Sequence, residues 1–83
     1  SDTVKILKRK GYYLCCIQAY FYKRPVKRII LTNNFRTYYN CTVKEFNSLK
    51  KEQVIKQYDI KVIVNPDIVV TYWKYNLSKR KSE

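Results

Sequence analysis

Residues 12–22, "YYLCCIQAYFY", constrain this chain more than any other stretch. They contain no charge, no glycine and no proline. Strand alternation puts Tyr13, Cys15, Ile17, Ala19 and Phe21 on one side and Tyr12, Leu14, Cys16, Gln18, Tyr20 and Tyr22 on the other. The first side is wholly apolar and is expected to be covered by the rest of the fold. The second is aromatic with a polar edge. One dry face and one half-wet face fit an antiparallel sheet packed on one side.

Elements of the same kind follow. Lys23-Arg24-Pro25 turns the chain, and residues 26–32 read as a second strand. Asn33-Asn34 suits a two-residue hairpin turn, because asparagine tolerates positive φ. Residues 35–40 form a third strand. Thr42 and Glu45 are spaced as a capping box, with a helix predicted from Thr42 to near Tyr58. Next, Tyr58, Ile60, Val62 and Val64 alternate with Asp59, Lys61 and Ile63 as a strand. After the turn at 65–67, residues 68–75 form a last strand with Val69, Thr71, Trp73 and Tyr75 on one face. The predicted class is α+β: a small, mainly antiparallel sheet in the order β-β-β-α-β-β, one helix packed across it, and room for a short strand over residues 3–7.

At 83 residues the chain is expected to be one small basic domain, frayed over residues 1–3 and 78–83. Its 46% hydrophobic content supports a core and argues against a disordered basic tail. No apolar run is long enough for a transmembrane helix. The three cysteines, Cys15, Cys16 and Cys41, are an awkward count for an oxidised scaffold, which favours buried thiols and an intracellular setting. The disulfide to weigh against that reading joins Cys41 to Cys15 or Cys16. With no histidine and no C-x-x-C, no metal or other cofactor is expected.

Catalysis has little to work with. There is no imidazole base, no Ser-His or Cys-His pair, and a single glycine cannot make a phosphate loop. The chain is therefore expected not to be an enzyme. A net charge of +12 points to a polyanionic partner: nucleic acid, a heparin-like glycan or an acidic protein. Nine tyrosines and one tryptophan are interleaved with lysine and arginine. Rings that stack on bases and cations that follow phosphates are how single-strand binders work. The leading expectation is a nucleic-acid-binding module contacting its ligand through Tyr20, Tyr22, Lys23, Arg24, Lys27, Arg28, Arg36, Tyr38, Trp73 and Lys74, with single-stranded or structured nucleic acid favoured. The alternatives are a secreted or viral interaction protein with a glycan-binding surface, and a small basic adaptor or inhibitor of an acidic protein.

Two family resemblances bear on these choices. Adjacent Cys15-Cys16, then Cys41, then "KVIVNP" at 61–66, resemble the skeleton of CC chemokines. That resemblance implies a secreted receptor ligand that binds glycosaminoglycans, with a C-terminal helix. "TNNFRTYYN" at 32–40 and "IKQYDIKVIVNPDI" at 55–68 are similar to the core-strand and post-helix segments of PAZ domains. That resemblance implies binding of RNA 3′ ends.

Overall fold

The computed structural model of the protein describes residues 2–21, 24–33, 38–64 and 67–77. Its elements are α1 (Asp2–Leu7), β1 (Tyr13–Phe21), β2 (Arg24–Thr32), β3 (Tyr38–Cys41), α2 (Val43–Lys51), β4 (Ile55–Ile63) and β5 (Ile68–Tyr75). The strands make one antiparallel sheet in the order β3-β2-β1-β5-β4. The α+β class and the order β-β-β-α-β-β are as the sequence predicts. β1, the charge-free run, is the central strand.

Register fixes which residues share a face, because directly opposed residues point the same way. Leu14 stands opposite Leu31 and Trp73, and Cys16 opposite Ile29 and Thr71. Ile29 also faces Cys41, and Tyr75 faces Ile55. These residues lie under α2, which adds Phe46 and Leu49, and under α1, which adds Leu7. Phe46, Leu14 and Leu31 are the largest fully buried side chains. Full burial of a leucine or phenylalanine contributes about 1.5–3 kcal/mol, so these three anchor the helix side.

Four expectations are corrected here. First, the covered face of β1 is the one bearing Leu14 and Cys16, not the one bearing Tyr13, Cys15 and Ile17. The upstream half of β1 is apolar on both sides, so its own alternation cannot choose. The choice is made by Ile29 and Leu31 on β2 and by Trp73 and Tyr75 on β5, which complete a seat for Phe46 and Leu49. Second, residues 2–7 are a helix and not a strand. Val4 and Leu7 fall three apart on one face, and the amide of Lys8 donates to the Val4 carbonyl at 3.1 Å. Gly11, at φ +86°, turns α1 into β1.

Third, α2 ends at Lys51, seven residues before the predicted end. Gln53 takes a left-handed conformation at φ 59°. Its amide donates to the Lys50 carbonyl at 3.1 Å, and the Val54 amide donates to the Leu49 carbonyl at 3.0 Å. That pair of bonds is a Schellman stop. At the other end the Glu45 amide donates to Thr42 Oγ1 at 3.1 Å, as predicted for the cap, while the Glu45 carboxylate lies 3.9 Å from Cys41 Sγ. Fourth, β4 does not alternate evenly. A bulge between Gln57 and Asp59 puts both Tyr58 and Asp59 on the face of Tyr72. Ile60 and Val62, opposite Thr71 and Val69, fall on the helix side. The strand predicted over 35–40 is seen at Tyr38–Cys41, and Asn34 of the predicted turn lies outside the described residues.

Candidate functional site

Among the described residues, no element packs on the second face of the sheet. Its middle is a floor of partly buried Cys15, Ile17, Ile30 and Val70. Small residues seal its sides, with Ala19 and Thr32 buried.

At one end of this face three rings converge. Tyr13 of β1, Tyr72 of β5 and Tyr58 of β4 lie with ring centroids 6.1 Å (Tyr13 to Tyr72), 6.1 Å (Tyr58 to Tyr72) and 6.5 Å (Tyr13 to Tyr58) apart. The strand order makes this possible, since β1, β5 and β4 are consecutive neighbours. The bulge supplies the third ring. Tyr58 remains 47% exposed, so part of this side chain can be reached by a partner. Burial pushes the Tyr58 and Tyr72 phenols above their ordinary value, with smaller contributions from neighbours: Tyr13 first for Tyr58, Cys15 first for Tyr72. Both therefore stay neutral hydroxyls at pH 7.

Cations surround the rings. Lys74 Nζ stands 4.4 Å from the Tyr58 ring centroid, within cation–π range. Lys56 is directly opposite Lys74 on the neighbouring strand. Like charges so placed repel, and an anion between them relieves the cost. The next rows run Asp59–Tyr72–Cys15–Ile30 and Lys61–Val70–Ile17–Arg28. The second row carries a cation at each end, roughly 14 Å apart at about 4.8 Å per strand. Beside the ring cluster an open groove of about 630 Å³ continues round the end of the sheet, where Lys8 and Arg9 from the α1 turn join Lys61 and Lys74.

The sequence-predicted contact residues do not form one site. Arg28, Tyr38 and Lys74 lie on the open face, while Tyr20, Lys27 and Trp73 lie on the helix side. Trp73 is engaged in packing. It meets Phe46 edge-on at 5.3 Å, and its indole N–H donates to Thr71 Oγ1 at 2.8 Å. Lys27 and Lys50 flank the Phe46 ring at 5.6 and 4.7 Å. Tyr22, Lys23 and Arg36 lie outside the described residues, as does the side chain of Arg24. The residues that sequence reasoning missed are Tyr13, Tyr58 and Tyr72. Alternation puts Tyr13 on a face expected to be covered, and the predicted helix runs to near Tyr58. Only the bulge and the strand order bring them together.

The cysteines are free thiols. Cys15 is on the open face, whereas Cys16 and Cys41 share the helix side with Ile29 between them. Two strand spacings separate Cys16 from Cys41, beyond disulfide reach. The pairing considered from the sequence is therefore not made. Among the described residues, no group of three His, Cys, Asp or Glu side chains could hold a metal ion, and no helix is long and apolar enough to cross a membrane.

Fold and site together define a small basic α+β protein whose antiparallel sheet is helix-covered on one face and carries a tyrosine–lysine cluster on the other. Comparison of the chain with protein-family models, with curated proteins and with solved structures finds no match. The C-terminal helix implied by the chemokine resemblance falls on residues 68–75, which are a strand.

Proposed function

We propose that this protein is a non-enzymatic nucleic-acid-binding module that takes single-stranded or unpaired nucleic acid on its open sheet face. The observation that carries the reading is the Tyr13–Tyr58–Tyr72 cluster with Lys74 over its exposed member and Lys56 alongside. Bases stack on the rings, each contributing about 1–3 kcal/mol. Phosphates lie against Lys56 and Lys74, and the path continues round the end of the sheet to Lys8 and Arg9. A duplex keeps its bases stacked on each other and offers no ring face to Tyr58.

A glycan or an acidic protein would use the cations and leave the rings idle, and that difference is testable. The full chain is titrated with labelled single strands, duplex of the same sequence and heparin, at low and physiological salt. Single strands should bind more tightly than duplex, with tyrosine-dependent affinity. Equal affinity for heparin and single strands, unchanged when Tyr58 is replaced by alanine, would turn the reading to a glycan-binding surface. Saturable binding of an acidic protein alone would turn it to the adaptor.

A further inference from the structure

β4 is a long, open edge. It ends the strand order, and among the described residues nothing pairs with its outer side. The other edge, β3, has four residues, whereas β4 has nine. Natural sheets blunt an exposed edge by shortening it, charging it or bulging it; β4 carries charges and a bulge, yet it stays long and keeps aliphatic side chains exposed. β4 exposes Ile60 at 53%, Val62 at 61% and Ile63 at 36%. The Ile60 amide donates to the carboxylate of its own neighbour, Asp59 Oδ1, at 2.8 Å.

The charges on this edge have a symmetry of their own. Asp59 and Lys61 flank Ile60 with opposite signs and point to the same face of the sheet. An antiparallel copy of the strand with Ile60 opposite Ile60 brings Asp59 opposite Lys61 of the partner subunit, and Lys61 opposite Asp59 of the partner subunit. A parallel in-register copy would set lysine against lysine. Directly opposed pairs of unlike charge stabilise a ladder, and like pairs destabilise it.

We infer that β4 is a self-association edge, through which two copies of this chain join antiparallel about Ile60 into a sheet continuous across the dimer. The association is isologous and closes on itself. The Ile60 amide passes from Asp59 Oδ1 to the Ile60 carbonyl of the partner subunit, which frees the Asp59 carboxylate for Lys61 of the partner subunit. The aliphatic side chains of Ile60 and Val62 are covered in the same step. None of this requires nucleic acid.

The test is light scattering or sedimentation equilibrium on the full chain, free of nucleic acid, over a range of concentrations. The mass should rise from the 10.1 kDa of one chain toward twice that value. Asp59→Lys and Lys61→Asp should each hold the protein at the monomer mass, and the double variant D59K/K61D should restore association. Net charge alone gives a different pattern, because Lys61→Asp lowers the charge and would then favour association. Circular dichroism on each variant confirms the fold. A monomer at every concentration, single variants that associate as the parent does, or a double variant that stays monomeric would each overturn the proposal. So would a dimer indifferent to both positions, which would have formed through another face.

Discussion

The Lys74 ammonium stands 4.4 Å from the centroid of the Tyr58 ring, across the bulge in β4. Lys56 stands opposite Lys74, and Tyr58 itself is 47% exposed. A ring so placed presents an apolar surface with its polyanion-binding charge already alongside. Tyr58→Ala is expected to weaken single-strand binding by roughly tenfold to a hundredfold, the equivalent of one lost stacking partner. Tyr58→Phe should bind as the parent does, because the ring and not the hydroxyl makes the contact. Fluorescence anisotropy with a labelled oligonucleotide measures both. An alanine variant with parental affinity would remove Tyr58 from the interface.

The charges make a separate prediction. Each lysine that contacts a phosphate releases counterions, so log K falls linearly with log salt. Lys74→Gln and Lys56→Gln should each reduce that slope by about 0.7 on single strands. Lys44→Gln, on the exposed surface of α2 and away from the open face, should leave it unchanged. Equal loss of slope in all three would mean a diffuse charge cloud without a binding track.

What could be read from the sequence divides along the length scale of each cause. Local periodicity carried the strand content and the helix start: β1, β2 and β5 lie close to where alternation puts them, and Thr42 caps α2 as its spacing predicts. The sidedness of β1 was not legible, because Leu14 and Tyr13 are both large and apolar and the choice belongs to β2 and β5. The end of α2 was hidden because a Schellman stop usually carries glycine and here carries Gln53. The site was the least legible part. Tyr13, Tyr58 and Tyr72 are far apart in the chain, and strand order and one extra residue in β4 bring their rings within 6.5 Å.

The stop at Gln53 offers a direct test of the backbone argument. A non-glycine residue in the left-handed region costs about 1–2 kcal/mol in local sterics. The position is exposed, and its carbonyl accepts a bond from Asn76 Nδ2 at 2.9 Å that does not depend on the side chain. Gln53→Gly should therefore raise stability by about 0.5–1 kcal/mol, part of the relieved strain being offset by added freedom of the unfolded chain. Thermal or urea unfolding shows this as a higher midpoint. A lower midpoint would mean that the Gln53 side chain stabilises the fold in a way its backbone does not reveal.

Cys41 gives a prediction with a sign in pH. Burial first, then the charge of Glu45 and the thiol's hydrogen bond to it, push the Cys41 thiol from 9.0 up to about 11. Only the thiolate reacts with alkylating reagents. At pH 8, native Cys41 should therefore react about a hundredfold more slowly than the same residue in the unfolded chain, before any loss of access is counted. Glu45→Gln removes the charge and should recover part of that rate. The same shift sets a stability slope. Between pH 9 and about 11 the unfolded chain has lost this proton while the folded chain keeps it, so stability is fully present below pH 9 and falls as pH rises through the window. Cys15, raised in the same direction by its own burial, adds to the fall. Cys41→Ala should make the melting temperature less steeply dependent on pH from 9 to 11 than in the parent. An equally steep fall in that variant would assign the slope to the tyrosines and lysines instead.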